Sequence, residues 1–351
     1  MIPQLYTADS NGYPIARIGG LYEAESCVVV QEINGEYALN LSMPLGAKHA
    51  SEMLQGYVIQ ATVDALWTTP QKFVIVSVEK EQDGYVNVYA THESYRFNSA
   101  MLSPFLNGNQ TCNAEWAIQQ VREHLVNAPF GTRISFELTN TAFGFPHLTT
   151  PRSLRSYLLE SLIPEFGGEV IWEADNSIRW VDQRGLDNGA KIVYRGNLLS
   201  MSVEQQEVEY ETGIYPFYGE YGDADKPLVE IVGKILDYNL TFPRITKIIP
   251  VDLSDKFESP PTPAKLLVAA NNYKNQNKKE VLPSALVVER FEQKNDIPIQ
   301  LGDTVEILCE PLGVSEKRRV RKMEWDVIHE RIVSMEVGDP LSTFAATILQ
   351  R

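Results

Sequence analysis

KFVIVSVEKEQDGYVNVYATHESYRFN, Lys72 to Asn98, decides how the N-terminal third folds. Apolar and polar residues alternate on both sides of Asp83-Gly84, a dipeptide that favours tight hairpin turns. Period-two alternation gives two antiparallel strands with one buried face. The preceding YVIQATVDALWTTPQ adds further strands, broken between Trp67 and Pro70. SCVVVQEINGEYALNLSMPL supplies another pair around Asn34-Gly35. Residues 1–104 therefore read as a sheet curled into a small β-barrel or sandwich.

The end of that stretch, ATHESYRFN, holds His92, Glu93, Ser94 and Tyr95, all side chains that enzymes use. Continued as a strand, His92 and Ser94 share one face and Glu93 and Tyr95 the other. A Ser–His pair then lacks an orienting carboxylate on its own face. The run reads as structural, with His92 hydrogen-bonded locally and Tyr95 an aromatic of the core or of an interface.

Further along, CNAEWAIQQVREHLVNA (112–128) changes to helical spacing, with Asn113 as N-cap. TRISFELTN reads as a strand. Thr150-Pro151 is expected to open a helix along Leu154, Tyr157, Leu158 and Leu162 that Pro164 ends. Gly167-Gly168 and Asn176 punctuate a closing hairpin. Together these make an α+β domain at 105–192. Strand patterning returns at 193–258. Pro260, Pro261 and Pro263 lead into a helix with Leu266, Leu267, Ala270 and Tyr273 on its apolar face, a small insertion at 259–298. Strands resume over 299–351. The expected class is mainly β with α+β: two related β-barrel domains, an inserted α+β domain and a small helix-containing insertion.

The chain has 351 residues and a net charge of −15. Residues 1–100 carry 5 basic and 11 acidic residues, a net of −6; residues 200–258 carry 5 and 12, a net of −7. The remaining segments sum to only −2, so the two β regions hold nearly all the charge. An acidic chain does not grip nucleic-acid phosphates. No run of eighteen apolar residues is present to span a membrane, and the N-terminus lacks the regions of a signal peptide. Cys27, Cys112 and Cys309 lie far apart and read as free thiols of a reducing cytosol.

No G-x-G-x-x-G, P-loop, H-E-x-x-H or G-x-S-x-G motif occurs, and no cofactor or metal is expected. His329 lacks the second histidine of a zinc protease. GDADKP at Gly222–Pro227 lacks the third aspartate of a calcium loop and reads as a solvated turn. Glu204, Glu207, Glu209 and Glu211 form the densest acidic run, either a solvated face or the lining of an acidic channel. The basic cluster Lys317–Lys322 reads as a solvated hairpin.

Taken in order, several stretches resemble the N-terminal hub region of phage tail-associated, or minor structural, proteins of long-tailed phages. The family's A-x-H-x-x-Y-x-L/F segment is matched at Ala90, His92 and Tyr95. Its R-R-G-x-D-x-G loop is matched at 183–189 with Gln183 in the first position. Its Y-G-x-N-L segment is matched around Gly196 and Asn197, with Arg195 intruding. Its L-G-D-x-V strand is matched at Leu301, Gly302 and Asp303, and its closing motif at 319–339.

The resemblance implies a homotrimeric hub, each chain giving two related barrels, in a pseudo-sixfold ring around a channel. The hexameric distal tail or tail tube protein lies above it, and a tail tip or receptor-binding proteins below. DNA passes through without specific binding, and the protein resides in the virion tail after synthesis in the bacterial cytoplasm. The resemblance implies no catalytic residue within this stretch. A peptidoglycan-cleaving tail enzyme and a carbohydrate-binding receptor module are the alternatives.

Overall fold

The computed structural model describes residues 2–66, 69–129, 131–139, 142–205, 211–239, 246–277, 284–291 and 297–338. Seven strands come first: β1 (Gln4–Ala8), β2 (Pro14–Gly20), β3 (Ser26–Glu32), β4 (Tyr37–Pro44), β5 (Val58–Ala61), β6 (Gln71–Lys80) and β7 (Tyr85–His92). They pair antiparallel in the order β3-β4-β7-β6-β5-β1-β2. Asn34 at φ +57 turns β3 into β4, and Gly84 at φ +101 turns β6 into β7. The expected alternation holds along β7, where Val86, Val88, Ala90 and His92 are buried and the residues between them half-exposed.

A peripheral α+β unit follows. Short strands β8 (Met101–Leu102), β9 (Cys112–Asn113), β10 (Leu125–Val126), β12 (Phe143–Gly144) and β13 (Arg152–Ser153) frame it, with β11 (Arg133–Glu137), β14 (Glu169–Glu173) and β15 (Ser177–Val181) as its sheet. α1 (Ala114–His124) is capped by Asn113, whose Oδ1 accepts the Trp116 N–H at 3.0 Å. The helix stops at His124 because Leu125 and Val126 pair with β8.

The second helix starts later than Thr150-Pro151 suggests. Ser153 caps α2 (Leu154–Tyr157) by accepting the Ser156 N–H at 3.2 Å. Nor does Pro164 end it: a π turn at Leu158–Leu162 leads into α3 (Ile163–Phe166). Proline has no N–H to donate, and the wider turn removes the need for one there. The chain leaves the helix at Gly167, φ +78.

The remaining strands are β16 (Lys191–Val193), β17 (Leu198–Gln205), β18 (Gly213–Tyr218), β19 (Val229–Glu230), β20 (Leu236–Asp237), β21 (Ile248–Asp252), β22 (Ser284–Phe291), β23 (Thr304–Cys309), β24 (Val314–Asp326) and β25 (Arg331–Gly338). β18 to β21 form a separate four-stranded sheet. It shares a core with α4 (Pro263–Asn277), built on Ile214, Tyr238, Val251, Phe257, Leu266 and Ala270. Segment 193–258 thus divides: β16 and β17 join the large sheet, and the rest packs with the helix that covers its apolar side chains. Leu267 on that helix is 38% exposed, and Ala269 is buried instead.

The C-terminal strands run β17-β22-β25-β24-β23, antiparallel throughout, and match β3-β4-β7-β6-β5 strand for strand. Even the irregularity is shared. Register slips by one residue between Ile75 and Ser77 against β7, and between Val320 and Lys322 against β25. The expectation of two closed barrels is corrected: among the described residues neither half closes on itself. The outer edge of β3 is taken by β24, from Lys322↔Glu32 to Asp326↔Val28. This merges both halves into one thirteen-stranded sheet.

Candidate functional site

The strand ends at His92, and Glu93–Asn98 form a 3-10 turn, so the face-by-face separation of His92 to Tyr95 expected from a strand does not apply. His92 is fully buried, stacked on Tyr37 at 4.0 Å between ring centroids. Its Nδ1 accepts the Ser94 N–H at 3.2 Å, which places the ring proton on Nε2, donated to Gln71 Oε1 at 3.0 Å. Burial, then the charges of Arg155, Arg96 and Lys72, holds its pKa well below the ordinary histidine value. A neutral imidazole with both nitrogens engaged is a packing element.

Behind it lies a seam between the first half-sheet and the peripheral unit. The Arg155 guanidinium carbon sits 4.1 Å from the Tyr95 ring centroid and 4.6 Å from that of Trp172. Its nitrogens donate to Ser94 Oγ at 3.2 Å and to the Gly35 carbonyl at 3.1 Å. Buried Glu93 accepts from Arg96 at 2.8 Å and from the Asp175 N–H at 3.1 Å. At the hairpin tip, Asn34 donates to the Gly168 carbonyl at 3.1 Å and accepts the Val170 N–H at 2.8 Å.

A second seam gathers the other motif residues. Gly302 (φ +93) and Gly185 (φ +79) pack backbone to backbone. A Cβ on Gly302 would lie 2.6 Å from the Arg184 carbonyl oxygen, and one on Gly185 would strike Gly302 itself. Next to them, Asp303 accepts the Leu186 N–H at 2.8 Å, the Gln300 N–H at 2.9 Å and the Asn188 amide at 3.3 Å. Leu301 is buried in the core alongside. The L-G-D and Arg184–Gly189 stretches, more than a hundred residues apart, therefore interlock.

Asn197 closes a third turn, accepting the Val193 N–H at 2.7 Å and donating to the Lys191 carbonyl at 2.8 Å. Gly196 donates to the Val193 carbonyl at 2.9 Å. Arg195, which intrudes before Gly196, stands at φ +61, the left-handed conformation that glycine adopts without steric cost.

Of the acidic run, Glu204 lies on β17, and Glu207 and Glu209 fall outside the described residues. Glu211 works inside the inserted unit, accepting from Tyr238 at 2.8 Å and Tyr273 at 3.2 Å. Burial and the Glu211 carboxylate push the Tyr273 phenol up to about 12. In the basic cluster, Lys317 meets Asp187 at 2.7 Å, Arg318 meets Glu316 at 3.0 Å, and Lys322 meets Glu336 at 3.6 Å. Arg319 meets Glu169 at 2.6 Å. These cations are matched by carboxylates within the chain.

The remaining candidates are also engaged locally. Asp223 caps its own turn through the Asp225 and Lys226 N–H groups, at 2.8 and 3.1 Å. His329 lies in the β24–β25 turn, 2.7 Å from Asp326. Glu165 borders a groove of about 130 Å³ between the peripheral and inserted units. It is neutralised by Lys256 at 3.2 Å and accepts the Phe145 N–H at 3.0 Å. Among the described residues no three metal-ligating side chains cluster, and no helix is long and apolar enough to cross a membrane. The sequence reading missed Arg155, Glu169 and Arg319. Each becomes visible only when distant segments meet.

No protein-family model matches the chain, and no curated protein matches it in sequence. Solved structures do. The prophage tail protein gp18 from Listeria monocytogenes superposes with TM-score 0.62 at 12% identity, over 100% of this chain and 98% of that one. The 43 kDa tail protein of prophage MuSo2 from Shewanella oneidensis gives 0.59 at 11% identity, over 96% and 98%. A tail protein from Neisseria meningitidis gives 0.58 at 11%, over 96% and 95%. End to end, this chain has the fold of prophage tail proteins.

Proposed function

We propose that the chain is a structural protein of a phage or prophage tail. In this reading it is a baseplate hub whose three copies form a pseudo-sixfold ring joining the distal tail or tail tube to the tip. The observation that carries the proposal is the whole-chain likeness to the Listeria prophage tail protein, TM-score 0.62. The repeat within the chain supports the symmetry: two half-sheets of one topology, taken three times, make six. The net charges of −6 and −7 in the two β regions support an acidic channel that lets DNA pass, because like charge repels phosphate. Glu204, Glu207 and Glu209 are the lining candidates. A non-enzymatic role is supported by three of the buried carboxylates: Glu93, Glu165 and Glu169 are bound by Arg96, Lys256 and Arg319.

Sedimentation equilibrium of the purified chain at micromolar concentration tests this. The expected mass is three times 39.5 kDa. A chain that stays monomeric overturns the hub, and turnover of purified peptidoglycan would establish the enzyme in its place.

A further inference from the structure

The peripheral and inserted units meet at a seam held by two kinds of contact. The first is polar. Loop 107–110 of the peripheral unit grips the chain at Glu258 and Ser259, in the link between β21 and α4. Gly108 and Asn109 stand at φ +62 and +56, and a turn of this kind aims backbone N–H groups into a concavity that suits an anion. The Asn107 and Gly108 N–H groups both donate to one Glu258 carboxylate oxygen, at 2.8 and 3.1 Å. Asn109 reads the backbone alongside. Its Oδ1 accepts the Glu258 N–H at 2.9 Å, and its amide donates to the Ser259 carbonyl at 3.0 Å and Oγ at 2.8 Å. From α4, Lys265 donates to the Asn109 carbonyl at 2.7 Å. Gly108, Glu258 and Ser259 are all exposed.

The second contact is apolar and small. Among the described residues, Phe145 is the one buried side chain of the peripheral unit that joins the inserted unit's core, 4.8 Å from Phe257 between ring centroids. The fit around it is loose. Two grooves, of about 130 and 650 Å³, share Glu165, Asp255 and Lys256 as walls, and the larger opens between α3 and α4.

We propose that the inserted unit is a flap that undocks from the peripheral unit as a folded body, with the 107–110 clasp on Glu258 and Ser259 as its fastening. The unit has a hydrophobic core of its own, built on β18, β21 and α4, so it keeps its fold when the seam opens. A seam of solvent-accessible hydrogen bonds, one buried aromatic ring and two grooves opens more readily than a packed core. Water replaces the partners of exposed hydrogen bonds at small net cost, which makes the fastening reversible. Undocking bares Phe145 and frees the Asn107 and Gly108 N–H groups.

Thiol labelling of the full chain with a chromogenic disulfide reagent tests this. A Cys112→Ser background leaves Cys27 and Cys309, both buried. Ala269→Cys places a thiol on α4 in the groove that faces α3. Ala270→Cys places one in the inserted unit's own core. The native alanines are 4% and 0% exposed. Undocking uncovers the first thiol and leaves the second covered until the unit unfolds.

Ala269→Cys is expected to label faster than Ala270→Cys. Adding Glu258→Gln, which removes the charge from the clasp, should speed labelling of Ala269→Cys by about tenfold or more and leave Ala270→Cys unchanged. Asn109→Ala should act in the same direction. Equal rates at the two positions, rising together in the clasp variants, would mean that the unit unfolds rather than undocks and would overturn the flap. A rate at Ala269→Cys that neither Glu258→Gln nor Asn109→Ala alters would overturn the clasp as its fastening.

Discussion

Glu169 and Arg319 meet as a two-pronged ion pair, 2.6 Å between Nη1 and Oε1 and 3.0 Å between Nη2 and Oε2. The carboxylate is 8% exposed and the guanidinium 16%. The pair fastens β14 of the peripheral unit to β24 of the second half-sheet. The same guanidinium also donates to the Gly302 carbonyl at 2.9 Å and the Arg184 carbonyl at 2.7 Å.

Removing one partner takes away most of the compensation of a shielded charge, although Arg321 still lies 3.6 Å from Glu169 when Arg319 is the one removed. Glu169→Gln and Arg319→Met should each lower stability by roughly 3–5 kcal/mol. The double variant should cost less than the two singles summed. Urea unfolding of all four proteins gives the coupling energy. Additive losses would show that the pair does not act as a unit.

His92 carries a pH signature. Its folded pKa lies well below 6.5, so below that pH the unfolded chain binds a proton that the folded chain does not. Stability is then fully present above pH 6.5 and falls as the pH drops, by at most about 1.4 kcal/mol per pH unit. His92→Gln should flatten that slope between pH 6.5 and 5, as read from denaturant midpoints.

At the same seam, His92→Ala should cost about 2–4 kcal/mol through the cavity left against Tyr37. Tyr95→Phe keeps the ring under Arg155 and should cost less than about 1 kcal/mol. Thermal unfolding that ranked these two the other way would contradict the packing described for them.

Backbone conformation sets opposite signs at two sites. Arg195→Gly should stabilise the protein by about 0.5–1 kcal/mol, because its φ of +61 strains any side chain. Gly302→Ala should destabilise it by more than that, since the new methyl meets the Arg184 backbone. Guanidinium denaturation curves of both variants provide the comparison.

Glu211→Ala should loosen the inserted unit selectively, because the Tyr238 and Tyr273 hydroxyls lose their acceptor. Amide exchange should speed up in β18, β21 and α4 and stay unchanged in β3 and β4. Unchanged exchange in the inserted unit would mean that Glu211 holds nothing there.

The local patterns were legible because they depend on neighbours in sequence. Asn34-Gly35 and Asp83-Gly84 announced hairpins, and Asn113 announced a helix cap. The alternation from Val86 to His92 named the buried face correctly. Pattern reading failed where a distant segment competed. β24 takes the β3 edge that a closed barrel would use. A π turn excuses Pro164, and α4 gives β18 a core of its own.

The motif residues show the same division. Gly302, Asp303, Gly196 and Asn197 stood out as an ordered set, but their task did not. Only the folded chain brings Gly302 against Gly185 and Asp303 onto Leu186, because the close approach of two backbones has no one-dimensional signature. By itself the sequence determined the strand content, the turns and the resemblance in motif order. The tertiary structure decided which edges pair and which charges meet, since those depend on long-range hydrogen bonding and burial.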